Sequence, residues 1–286
     1  MPELPEIETI KLGLQKKIVG LKIKKIEVLN PKTFQPFDAA QGLEGKKVLK
    51  INRLAKILVV DLSGNLSLLF HLKMSGQLIY LEGRKRFVGG HPTPDMRDEM
   101  PNKHTRVIFE FNNNSKLFFN DQRKFGWVKV VNSSSLMVDS LLKNLGPEPL
   151  EKNFTWQLLK QNLLKHKNLA VKVAIMDQTA ISGIGNIYAN EACFDAKIDP
   201  RTKVSDLSDE QFRKLHKGII KALKDGIKYG GASRAHFVNS EGEKGYFLDY
   251  AYCYGRDGQP CKKCKTTIKK IQLGGRGTYF CPHCQR

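Results

Sequence analysis

Four cysteines crowded into the last 26 residues, Cys261, Cys264, Cys281 and Cys284, constrain this chain more than any other feature. Their order is Cys-x2-Cys, sixteen residues, then Cys-x2-Cys, the spacing of a four-cysteine zinc site. Each knuckle sets two thiolates about one tetrahedral ion. An iron–sulfur site or a redox pair are the other uses of such cysteines, and the spacing favours one zinc. A site with four thiolates is closed, so the metal is expected to be structural rather than catalytic. The intervening TTIKKIQLGGRGTYF reads as two strands joined by a Gly-Gly turn, with Arg276 among Gly274, Gly275 and Gly277. A guanidinium on such a turn suits a phosphate contact or a groove, although alone it reads equally as a surface arginine. Cys193 and Cys253 fall outside the pattern and are expected in the core.

Charge narrows the partner. Lys and Arg number 48 against 28 Asp and Glu, a formal +20 with a pI near 9.7. Zinc with four thiolates removes only about two of those charges. Such an excess attracts polyanions and makes binding salt-sensitive. A membrane surface is the other anionic candidate, but no long basic amphipathic helix is evident. Nucleic acid is therefore expected, with no membrane partner. The start, MPELPEIETI, has neither a basic n-region nor an apolar h-region. The longest apolar runs, such as Ile57–Leu62, are too short to span a bilayer. A cytoplasmic protein is expected.

With 41% hydrophobic residues the chain can bury a proper core, and its length suits one large or two ordinary domains. Ile7, Ile10, Leu14 and Ile18 recur at helical spacing behind Pro5. From residue 21 to about 131 short β-rich runs follow one another, separated by turn signals such as Ser63-Gly64-Asn65. Strands without helices between them predict an antiparallel sandwich or barrel. The stretch 83–104, basic and rich in Gly and Pro, reads as a loop. A Ser/Asn/Gly/Pro-rich segment with one short apolar helix then reads as a linker, and helices are predicted at 155–165, 169–178, 187–194 and 209–229. Residues 230–246 read as another loop. The expected fold is thus α+β in two domains. Residues 1–132 are expected to form an N-terminal antiparallel sandwich or barrel, and 133–150 the linker. Residues 151–250 are expected to form a helical domain, and 251–286 the finger.

The N-terminus offers chemistry. Met-Pro predicts removal of Met1, which would leave Pro2 with a free secondary amine. An α-amino group titrates at about 8, so much of it is neutral near physiological pH. Attack by a secondary amine on a sugar C1′ gives an iminium with no N–H to lose, an electron sink for later elimination. Glu3 and Glu6 stand beside the amine as a proton-handling pair. On these residues alone, glutamates in a first turn equally well complement the helix dipole.

The assembled motifs resemble the formamidopyrimidine-DNA glycosylase family, bacterial enzymes that excise 8-oxoguanine and ring-opened purines. The resemblance runs over nearly the whole chain. It is carried by PELPEIE at the start, HLKMSG (71–76), FNDQRKFG (119–126), MDQTAISGIGNIYANEACF (176–194), FVNSEGEKGYF (237–247), YGRDGQPC (254–261) and GGRGTYFCPHCQ (274–285). It implies that 1–132 is an N-terminal antiparallel β-sandwich with flanking helices, 151–250 a helix–two-turn–helix DNA-binding domain with a lesion-capping loop, and 251–286 a zinc finger. It also implies a monomer that clamps damaged double-stranded DNA, with no catalytic metal or organic cofactor. Within it Pro2 corresponds to the Schiff-base nucleophile, Glu3 to the general acid/base with Glu6 assisting, and Lys56 to a lysine at the lesion phosphate. Lys172 corresponds to an active-site lysine. His71, Arg123, Asn186 and Arg276 correspond to backbone contacts. Met74, Arg123 and Phe125 correspond to the residues that enter the duplex where the damaged nucleotide leaves. Read only as residues, Met74 and Phe125 would be strand-core positions.

The chain departs from the family pattern at four places. Lys73 stands where Gly is usual, KHTR (103–106) stands where an HDH-like sequence is common, and 83–104 is longer than usual. The middle of GGASRAHFV (230–238), with Arg234 and His236, also differs, in the loop that resembles the cap over the extruded base. Two other readings share many of these features: an endonuclease VIII-like glycosylase for oxidised pyrimidines, and a non-catalytic DNA-binding protein. Leu4 and the capping loop weigh against the first; Pro2, Glu3 and Lys56 weigh against the second.

Overall fold

The computed structural model describes residues 1–91, 98–138, 142–232 and 245–286. The chain divides into two compact units, Met1–Lys143 and Asn144–Ala232 with Tyr246–Arg286. Arg234 and His236, and most of the expected 230–246 loop, lie outside the described residues.

The first unit begins with α1 (Leu4–Ile18), whose Ile7, Ile10, Leu14 and Ile18 are buried along one face as their spacing requires. Among the described residues ten strands follow: β1 (Ile23–Val28), β2 (Phe34–Gln35), β3 (Val48–Leu54), β4 (Ile57–Leu62), β5 (Leu66–His71), β6 (Gly76–Glu82), β7 (Lys85–Gly90), β8 (Thr105–Phe111), β9 (Lys116–Asp121) and β10 (Trp127–Asn132). They form two five-stranded sheets, ordered β1-β8-β9-β6-β7 and β2-β10-β5-β4-β3. All pairings are antiparallel except that of the two-residue β2 with β10. Alternate residues of both sheets meet in one core. Phe70 of one sheet lies 5.6 Å from Phe109 and 6.3 Å from Phe119 of the other, ring centroid to ring centroid. Truncating one such ring would cost about 3–5 kcal/mol. The intervening positions Ile79, Val88, Ile108 and Phe118 make a smaller cluster on the other face, against which Met100 packs.

The stretch 83–104 is not wholly a loop, because Lys85–Gly90 forms β7, an edge strand in a hairpin with β6. Phe87 enters the core, whereas Gly89 lets α1 approach so closely that a Cβ there would stand 2.5 Å from Ile10 Cγ1. Charged and glycine neighbours leave only Phe87 and Val88 as strand-forming signal, too short a run to read.

In the second unit α2 (Trp156–Leu164) is capped by Thr155, whose Oγ1 accepts from Leu158 N–H at 3.2 Å. It is followed by α3 (Val171–Ala174), α4 (Asn186–Ala196), α5 (Asp209–Lys228) and α6 (Phe247–Tyr250). The helix expected over 169–178 shrinks to α3. Ala170 pairs as an isolated bridge with Lys203, and the Asp177 carboxylate accepts from Thr179 N–H and Oγ1–H, a local alternative to continued helix. Helices α4 and α5 approach closely where Gly218 faces the Ala192 carbonyl and Gly226 faces the Tyr188 ring. The chain closes with β11 (Lys269–Leu273) and β12 (Arg276–Phe280), the expected hairpin. Among the described residues no helix is long and apolar enough to cross a membrane.

Candidate functional site

The first unit assembles one group of the singled-out residues. Pro2, Glu3 and Glu6 are all buried at the start of α1. Glu3 is the N-cap, and a capping box joins it to Glu6, whose Oε2 accepts from the Glu3 backbone N–H at 2.8 Å. The box is reciprocal, with the Glu3 side chain accepting from the Glu6 backbone N–H, so the two carboxylates fix the first turn that directly follows Pro2 in the sequence.

Lys56 sits on the two-residue turn between β3 and β4, next to Ala55, whose φ is 53°. Lysine is seldom buried, yet Lys56 is only 6% exposed. The turn is tied back to α1 through Arg53, which donates to the Ala55 carbonyl at 3.1 Å and to Glu8 Oε2 at 2.8 Å. Burial acts to raise the Glu8 carboxyl, but hydrogen bonds from Lys11 and Arg53 outweigh it and hold it below its usual range. Arg53 and Glu8 were not singled out from the sequence. They are 45 residues apart, and no local pattern pairs them.

His71 ends β5. Burial, reinforced by the positive charges of Lys73 and Lys56, pushes it down to about 3, so the ring is neutral at physiological pH. Nδ1 accepts from Lys73 N–H at 3.0 Å, which places the ring proton on Nε2. A neutral donor flanked by lysines suits a phosphate oxygen. The neighbouring Lys73 adopts φ 48°, a left-handed conformation that glycine takes without strain. This gives a backbone reason for the glycine usual at that position.

Met74 and Phe125 are 36% and 56% exposed, so neither is a strand-core residue. They lie on the β5–β6 and β9–β10 loops, which the β6–β9 pairing sets side by side. The Arg123 guanidinium stacks 4.9 Å from the Phe125 ring centroid. An exposed methionine, a planar cation and an aromatic ring on adjoining loops form a surface suited to contact with stacked bases.

The second unit gathers Lys172, Asn186 and the finger hairpin. Lys172 is fully buried, and its Nζ donates to Asn186 Oδ1; Asn186 Nδ2 donates to the Gly277 carbonyl at 3.1 Å. Asn190, one turn further along α4, accepts from Tyr279 N–H at 2.7 Å. Two asparagines on α4 thus satisfy the free edge of β12, beside Arg276. Gln178 of the MDQ segment holds the GIGN turn: it accepts from Gly183 N–H at 3.0 Å and donates to the Ile184 carbonyl at 2.8 Å. Neither Asn190 nor Gln178 was picked out as an individual residue from the sequence, though both lie in a quoted motif.

The sulfurs of Cys261, Cys264, Cys281 and Cys284 all lie within 4.8 Å of one another. Cys264 and Cys281 are 3.4 Å apart and Cys261 and Cys284 are 4.0 Å apart. A tetrahedral ion with zinc–sulfur bonds of about 2.3 Å needs sulfurs roughly 3.8 Å apart, so the set fits one structural zinc. Cys193 and Cys253 are buried outside it, and burial pushes the Cys193 thiol up to about 12.

Fold and sites together define a DNA-binding protein of the helix–two-turn–helix, zinc-finger class. Three family models cover most of the chain: the formamidopyrimidine-DNA glycosylase N-terminal domain at residues 1–128, the H2TH domain of the same family at 145–237, and the zinc finger found in FPG and IleRS at 258–286. The formamidopyrimidine-DNA glycosylase of Hahella chejuensis is 40% identical, with all of both chains covered. That of Pelotomaculum thermopropionicum is 37% identical, covering all of this chain and 99% of the relative. Among solved structures, a Lactococcus lactis FPG variant bound to Fapy-dG-containing DNA superposes with a TM-score of 0.88 at 32% identity over the whole of both chains. The Lactococcus lactis enzyme bound to abasic-site DNA gives 0.87 at 32% identity over 99% of each. The chain belongs to the formamidopyrimidine-DNA glycosylase family, whose members are DNA glycosylases and AP lyases of base-excision repair.

Proposed function

We propose that this chain excises oxidised purines, 8-oxoguanine and formamidopyrimidines, from double-stranded DNA and then cuts the strand at the resulting abasic site. Once Met1 is removed, the Pro2 nitrogen attacks C1′, and the glycosidic bond breaks with its electron pair leaving on the base. Glu3 delivers a proton as the sugar ring opens, and the product is an iminium at C1′. Loss of a C2′ proton then expels the 3′ phosphate, and a second elimination expels the 5′ phosphate. Lys56 and His71 hold the lesion phosphate; Asn186 and Arg276 hold the backbone from the second unit, and Lys172, buried and bonded to Asn186, positions that asparagine instead of meeting DNA itself. Met74, Arg123 and Phe125 occupy the space that the extruded nucleotide leaves, offsetting part of an unstacking cost of a few kcal/mol. The zinc organises the finger and takes no part in the chemistry.

The observation that carries this reading is the buried start of α1, where Glu6 fixes the Glu3 backbone directly beside Pro2. The domain assignment adopted is 1–132 catalytic, 133–150 linker, 151–250 helix–two-turn–helix and 251–286 finger. The working form is a cytoplasmic monomer bound to the nucleoid. The test is borohydride trapping on duplexes carrying 8-oxoguanine opposite cytosine or thymine glycol, with Pro2→Gly as control. An adduct on 8-oxoguanine that the control loses supports the reading. Preferential trapping on thymine glycol would move the chain to oxidised pyrimidines. No adduct on either duplex, with Met1 removed and DNA binding intact, would overturn it.

A further inference from the structure

Asp121 ends β9 opposite Gly76 of β6 and is 1% exposed. Its Oδ1 accepts from Ser75 Oγ–H at 2.5 Å and from Arg123 N–H at 3.1 Å, while Oδ2 accepts from Gly126 N–H at 2.6 Å. Ser75 Oγ accepts from the same Arg123 N–H at 3.2 Å. The Asp121 carbonyl is itself held by Arg106 Nε at 2.9 Å. One buried carboxylate therefore fastens both loops that carry the exposed side chains. Ser75 directly follows Met74, and the Arg123 and Gly126 amides bracket Lys124 and Phe125.

The chemistry requires a carboxylate. Backbone amides only donate, and here one amide is aimed at each oxygen, so an asparagine would turn its NH2 toward a donor whichever way it faced. Nor can the loop shift freely around the clamp. A Cβ on Gly126 would lie 2.8 Å from the Phe119 ring, and Lys124 already has φ 58°.

We infer that Asp121 is the positioning residue for reading the base opposite the lesion. It sets Arg123 and Phe125 in register with Met74 before DNA arrives. This rests on the reading that those three side chains enter the duplex, where the Arg123 guanidinium offers its N–H donors to the acceptors of the cytosine left opposite the lesion.

The test measures single-turnover excision of 8-oxoguanine opposite cytosine and opposite adenine for the wild type, Asp121→Asn, Ser75→Ala, Arg123→Ala and the Asp121→Asn/Arg123→Ala double variant. Displacing a positioned group by about an ångström costs on the order of a hundredfold in rate. Arg123→Ala is expected to lower the cytosine-over-adenine ratio by about tenfold or more. Asp121→Asn should lower it comparably and Ser75→Ala less, with the double variant no lower than Arg123→Ala alone. A purely structural role would slow both substrates in proportion and leave the ratio intact, which overturns the inference. So does a double variant in which the two losses multiply. If Arg123→Ala itself leaves the ratio unchanged, the insertion reading fails and the inference with it, a result distinct from the first two. Should Asp121→Asn not fold, Ser75→Ala reads the same ratio: a fall supports the inference and an unchanged ratio overturns it.

Discussion

Arg53 Nε lies 2.8 Å from Glu8 Oε2, and this ion pair joins the turn that carries Lys56 to the helix that begins beside Pro2. The Arg53 and Glu8 side chains are only 9% and 15% exposed, so the pair is shielded more than an ordinary surface bridge. Arg53→Ala removes both the bridge and the bond to the Ala55 carbonyl. Excision should fall by roughly ten- to a hundredfold while affinity for undamaged duplex changes little. Single-turnover rates beside binding isotherms would check this; a parallel loss of both would mean the pair only maintains the fold.

Glu8 also makes a pH prediction. Its carboxyl is held low in the folded protein, so the stability it contributes is present above its unfolded value of about 4.3 and is lost as pH falls through the lower folded value. Thermal unfolding followed from pH 6 down to pH 3 should therefore be less acid-sensitive in Glu8→Gln than in the wild type. Curves that stay parallel throughout would refute it.

At position 73 the chain carries a lysine at φ 48°. Lys73→Gly should stabilise the first unit by about 1 kcal/mol by relieving the left-handed strain, less the greater entropy glycine gains on unfolding. It also removes a positive charge that helps hold His71 near 3, so the His71 pKa should rise. Calorimetry and histidine NMR titration read the two effects separately.

Asn186→Ala deletes the bond to the Gly277 carbonyl and the acceptor that receives Lys172. Leaving buried polar groups short of a partner should cost about 1–3 kcal/mol. By loosening the hairpin under Arg276 it should also flatten the salt dependence of DNA binding. Arg276→Ala, which removes one phosphate contact, should lower the slope of log K against log salt by about 0.9. If both slopes match the wild type, the finger tip does not meet phosphate.

Stripping zinc, or replacing Cys264 with Ser, should collapse the finger and weaken DNA binding, because the closed thiolate site is part of the folding energy of so small a hairpin. Metal analysis should return one zinc per chain in the wild type.

What could be read along the chain was whatever depends on near neighbours. The two Cys-x2-Cys knuckles, the apolar face of α1, the short β-rich runs that became β4 and β8 and the helical span of α5 each express a local rule of spacing or composition. The tertiary structure alone decided the rest. It brought Arg53 to Glu8 and Asn186 to Gly277, partners 45 and 91 residues apart. It also made a strand of Lys85–Gly90, whose few apolar residues gain meaning only against β6 and α1. Met74 and Phe125 show the limit most plainly. An apolar residue near a strand reads as core, and only the pairing of β6 with β9, with Asp121 fastening the two loops, turns both outward. Spacing along a chain records local geometry, whereas the direction a loop side chain faces depends on contacts that closure of the fold creates.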